Sequence, residues 1–179
     1  MKKVILILGM ALLPIVASAQ NYFDSLEDQD GVTSVIVNAN MFSLMSKIDV
    51  STEDPEAKEY INLIKNITSL KVFVSKSNAT TTKMQSMMSK YLKKSSLQEL
   101  MRVKDGDTNV KFYMKEGSNS NKVSELLMFV KGTDLKVEGK EIETVLLSLT
   151  GDFDLKQVSK LTKKMNIPGG EHLKKAKKK

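Results

Sequence analysis

The sequence predicts an α+β domain: a mainly antiparallel sheet with helices packed on one face, in the order β-α-β-α-β-β-β-β-α. Two observations carry this. Apolar residues recur at helical spacing in two early stretches and one late one, and between them the period switches to two over a run of segments joined by short turns. Connections that short make the neighbouring strands antiparallel.

The first strand is expected over 32–37, where Val32, Ser34 and Ile36 face one way and Thr33, Val35 and Val37 the other. Both faces are fairly apolar, which suits an interior strand. Residues 41–48 give a short helical turn. A helix then starts at Asp54-Pro55, with Asp54 as cap and Pro55 in the first helical position, and runs to about Asn66. Leu70, Val72 and Val74 alternate with Lys71, Phe73 and Ser75, the mark of a second strand. In the next helix Met84, Met87, Met88, Tyr91 and Leu92 fall at i, i+3, i+4, i+7 and i+8, the best helical periodicity in the chain.

Four strands follow, over 97–104, 109–115, 123–131 and 143–150, with turns at Asp105-Gly106-Asp107 and at residues 117–121. This half reads as a meander. The last element opens with Asp154 as a cap and Gln157 in the capping-box position, and Leu155, Val158, Leu161 and Met165 form its apolar stripe. Amphipathic helices of this kind most economically cover one face of the sheet, which leaves the other to water or a partner.

The N-terminus has the parts of an export signal: Lys2 and Lys3, an unbroken apolar stretch from Val4 to Val16, and the small residues Ala17 and Ala19 before Gln20. Signal-peptidase cleavage is expected after Ala19. An apolar run of about thirteen residues covers roughly 20 Å as a helix, against a hydrocarbon core of about 30 Å, too short for a comfortable span. The expected organisation is therefore a signal peptide over 1–19, a single domain over 20–166, and a basic, disordered tail over 167–179. The product is expected to be exported and soluble, in the periplasm or outside the cell.

The chain has no cysteine, so disulfides, thiolate catalysis and cysteine-ligated metals are all excluded. Its formal net charge of +7 is concentrated at the ends. Lys2 and Lys3 leave with the signal and residues 163–179 hold seven lysines against Glu171, so residues 20–162 carry a net −1. Without a basic face on the domain, nucleic acid is not an expected partner. Weak contact of the lysine tail with an anionic surface is compatible with the charge, although a solubilising role explains the tail as well.

Candidate chemistry is sparse. The one histidine, His172, lies in the lysine tail, where no packed shell could hold it for acid–base work. Asp105, Asp107, Asn109 and Glu116 match positions of a calcium loop, but the place that needs glycine holds Val110, and Val110, Phe112 and Met114 alternate as a strand. Asp152 and Asp154 are the nearest candidates for a carboxylate pair, and turn and cap roles account for both. No nucleophile elbow, phosphate loop or dinucleotide motif occurs. The expectation is a non-enzymatic protein without cofactor, metal or catalytic residues. Met84, Met87 and Met88 could floor a pocket for a greasy ligand, or simply pack against the sheet as core.

With the elements in place, the chain resembles the exported bacterial family labelled domain of unknown function 4252. The resemblance rests on the signal, the stretch from Phe23 to Val37 leading into the first strand, the Leu70–Val74 strand before a methionine-rich helix, and the meander ending in Gly151-Asp152-Phe153-Asp154. Many relatives in that family carry a lipid-acceptor cysteine after the signal, and this sequence lacks it. The resemblance implies no activity. The residues point to a binding or interaction module whose partner is another envelope protein, the alternative being a periplasmic carrier of a small apolar ligand.

Overall fold

A computed structural model describes residues 22–47, 55–119, 121–137, 140–154 and 156–157 of the chain. A short 3-10 turn, Asp24–Leu26, leads into β1 (Val32–Asn38), α1 (Ala39–Lys47) and α2 (Pro55–Lys65). β2 (Ile67–Ser75) and α3 (Asn78–Lys94) follow, and then β3 (Gln98–Asp105), β4 (Thr108–Glu116), β5 (Lys122–Val137) and β6 (Lys140–Asp154). The six strands form one antiparallel sheet in the order β1-β2-β6-β5-β4-β3. The α+β class and the meander of β3 to β6 are as expected. β2 adds to the free side of β6, and β1 adds to β2.

The helices do not share one face, in contrast to the expected arrangement. Phe42 of α1 and Leu63 and Ile64 of α2 pack with Leu70, Leu126, Met128, Val145, Leu147 and Leu149. Met84, Met88 and Tyr91 of α3 pack on the opposite face with Phe73, Leu127, Phe129 and Leu146, joined there by Phe23 and Leu26 from the N-terminal segment. The reason lies in the two central strands. Leu126 to Val130 and Val145 to Leu147 are apolar at every position, so alternation sends large side chains to both sides and both sides need cover. The helical periods show that each helix has a stripe to bury, not which side of the sheet receives it.

β1 departs from expectation as well. Its apolar residues on both faces suited an interior strand, but among the described residues it pairs only with β2, from Val32 opposite Ser75 to Asn38 opposite Ser69, and forms one edge of the sheet. Val35 and Ile36 consequently remain exposed.

Local chemistry explains the junctions. Pro55 opens α2, where its missing N–H costs nothing. The β3–β4 hairpin turns through Gly106, whose φ of 53° is in the left-handed region. β2 and β6 slip register between Ile67 and Ser69, beside Gly151. A Cβ on Gly151 would sit 2.1 Å from the Asn66 carbonyl oxygen, which also accepts the Asp152 N–H at 2.8 Å, so only glycine fits where α2 turns into β2. The final helix lies outside the described residues apart from Lys156 and Gln157. At its start the Lys156 N–H donates to Asp154 Oδ1 at 2.7 Å, the capping role expected of Asp154.

Candidate functional site

Two features of the folded chain stand out. One is a buried carboxyl, the other an open apolar edge.

Glu125 lies on β5 facing α3 and is 3% exposed. α3 brings Tyr91 over it, and the Tyr91 hydroxyl donates to the carboxylate with its oxygens at 2.9 and 2.8 Å. Tyr22 and Phe23 close the top: their rings lie 4.9 and 5.1 Å from that of Tyr91 and 5.4 Å from each other. Burial raises the Glu125 pKa, while the Tyr91 hydrogen bond and the Lys115 charge act in the opposite sense. Tyr91 is raised as well, by burial first and then by the Glu125 charge, so the phenol stays protonated at physiological pH. The pair is a buried hydrogen bond beneath an aromatic cover. Glu125 is the one ionisable residue inside the run Val123 to Val130, and that isolated charge on a core strand is the sequence signal that marks it.

Across the sheet the polar row continues. Glu125 is in register with Thr150, whose hydroxyl lies 3.0 Å from that of Thr68, and Lys71 forms an ion pair with Asp24 of the N-terminal turn. Beyond them lies an open groove of about 550 Å³ lined by Asp24, Glu27, Ile36, Asn38, Thr68 and Lys71.

The second feature is the β1–α1 segment. Among the described residues the exposed large hydrophobics are Val35 (54%), Ile36 (38%), Met41 (50%) and Leu44 (62%), all within ten residues of chain. Among the described residues no strand pairs with the outer edge of β1.

The residues singled out from sequence fall as follows. Met84 and Met88 are 0% and 3% exposed and Met87 is half-buried, all packed with the α3-side core, and none lines the groove. Asp152 accepts the Ser118 N–H at 3.0 Å and the Ser118 hydroxyl at 2.8 Å, which together hold its carboxyl below the usual range and tie the β4–β5 turn to β6. Asp105 ends β3 and Asp107 lies in the hairpin turn, while Glu116 is at the far end of β4, about 30 Å from Asp107 at strand rise. Among the described residues no group of three or more acidic or histidine side chains is placed to hold a metal ion. Ala17, Ala19, Gln20, His172 and the lysine tail lie outside the described residues. No described helix is long and apolar enough to cross a membrane.

Fold and site together define a class: an α+β domain built on one antiparallel sheet, covered on both faces and left open along one apolar edge. The chain belongs to the family described as domain of unknown function (DUF4252), whose match spans residues 22–161. No curated protein and no solved structure is significantly similar to it.

Proposed function

We propose that this is an exported, non-enzymatic envelope protein that works as a binding module, offering the open edge of β1 to an extended segment of a protein partner. The observation that carries the reading is an edge strand with no described strand on its outer side, on which Val35 and Ile36 are exposed on opposite faces, followed by a helix on which Met41 and Leu44 are exposed. An unpaired strand edge supplies a row of backbone donors and acceptors, and adjoining apolar side chains supply contact area, the two requirements of strand addition. Export rests on the N-terminal charge, apolar stretch and small-residue cleavage site.

The alternative, a carrier of a small apolar ligand, needs the Met84–Met88 face to be open. The core packing of Met84 and Met88 favours the edge reading.

The test has two parts. Protein recovered from the envelope fraction should begin at Gln20, and an intact Met1 on cytosolic protein would overturn export. Tagged wild type and a Val35→Lys variant, purified in parallel from envelope fractions, should differ by a defined partner that only the wild type retains, at equal melting temperature. Identical partner profiles, or an apolar small molecule co-purifying at near one per chain, would overturn the edge reading.

A further inference from the structure

The two edges of the sheet differ in kind. β3, at one end, carries Glu99, Arg102, Lys104 and Asp105 on eight residues, with Glu99 and Arg102 joined in an exposed ion pair at 2.7 Å. Charges spaced along an edge oppose pairing with another strand, because burying them against a second backbone strips their water. β1, at the other end, is Val-Thr-Ser-Val-Ile-Val-Asn, seven residues without an ionisable side chain, proline or glycine. One edge is protected and the other is not.

We infer that β1 pairs with β1 of a second copy of this chain, antiparallel about a two-fold axis at Val35. The inference rests on the edge reading above and names its partner. In that register Val35 faces its own copy, Ser34 lies opposite Ile36, Thr33 opposite Val37, and Val32 opposite Asn38, so all seven residues are used. The side chains paired in this way lie on the same face of the sheet, as antiparallel pairing requires. No like charges meet, which is what lets a strand pair with itself. Just outside the strand, Gly31 falls opposite Ala39, two small residues that leave room for each chain to depart. The half-exposed Val35 is covered by its counterpart, and Ile36 by the partner strand. Met41 and Leu44 are exposed on the helix that directly follows β1.

The test uses the mature chain from Gln20 to Lys179. Sedimentation velocity over a wide concentration range should show a monomer–dimer equilibrium for the wild type, and a monomer at every concentration for Val35→Lys with its melting temperature unchanged. The chain has no native cysteine, so Val35→Cys places a lone thiol on the axis. Directly opposed Cα atoms in an antiparallel pair are about 4.5–5.5 Å apart, within disulfide range. Mild oxidation should therefore convert Val35→Cys to a covalent dimer, while Val32→Cys, opposite Asn38, remains monomeric on a reducing-agent-free gel. A wild type that stays monomeric throughout overturns the inference, as does a dimer that survives Val35→Lys while Val35→Cys fails to link. If the wild type is monomeric yet loses an envelope partner on Val35→Lys, the second copy is overturned and the edge reading stands. If it dimerises through β1 and no partner depends on the edge, this inference stands and the heterologous partner is overturned.

Discussion

Burial of Glu125 beneath Tyr91 gives the fold a pH dependence whose sign follows from the direction of the shift. A carboxyl whose pKa is raised in the folded chain holds its proton there more tightly than in the unfolded chain. Its stabilising contribution is complete below the ordinary value of 4.5 and is lost as pH rises through the folded-state value. Glu125→Gln keeps the size and the Tyr91 contact without the buried charge. It should unfold at a higher urea concentration than wild type near pH 7.5, with the gap closing below pH 4.5. Urea titrations at the two pH values measure this directly. Tyr91→Phe removes the donor and leaves the carboxylate unpaired, at an expected cost of about 1–3 kcal/mol near neutral pH. Met84, fully buried among Phe73, Leu146 and Tyr91, is a core residue by its packing, and Met84→Ala should cost about 2–5 kcal/mol in denaturant unfolding. Helical spacing put Met84 on the apolar stripe of its helix and left pocket floor and core both open; the packing decides for core. Glu125 was not singled out from the sequence, where its one signal is a charge in an apolar run, because which alternate face of β5 is sealed by an aromatic cover depends on Tyr22 and Tyr91, both distant in sequence.

At the level of elements, the junction of α2, β2 and β6 is the most constrained. Gly151→Ala would drive a Cβ into the Asn66 backbone, which cannot move without dragging α2. The expected loss is more than about 1 kcal/mol, seen as a lower denaturant midpoint at unchanged slope. The equivalent change at Gly106 meets open space but must still adopt a left-handed φ, so the penalty there comes from backbone strain alone. Helix and strand identities were readable for α2, α3 and the meander, since each has a clear period or a turn signal at its boundary. The edge position of β1 was not. Seven residues with apolar side chains on both faces satisfy an interior strand and an unprotected edge equally well, and only the pairing partners separate the two.

At the scale of the whole molecule, the described residues form two cores, one on each side of the sheet, and they depend on different parts of the chain. The α3-side core includes Phe23 and Leu26, 1% and 0% exposed, supplied by the first few residues of the described chain. A chain shortened to begin after Leu26 should lose about 3–6 kcal/mol, taking about 1.5–3 kcal/mol for each of two large side chains. It should also bind a hydrophobic dye through the uncovered α3 face, while the α1–α2 side is retained. Hydrogen exchange should be slowest in β5 and β6, the two central strands with apolar cores on both faces, and fast along the outer edge of β1 in the monomer. From its residues alone this chain determined an α+β class, the order and kind of its main elements, the absence of cysteine chemistry and a domain with little net charge, because these depend on composition and local periodicity. Which face each helix covers, which strand is left at the edge, and the sealing of Glu125 under Tyr91 were decided only by the tertiary structure. Each is a contact between segments far apart in the chain, and periodicity carries no information about what a stripe or a strand edge will meet.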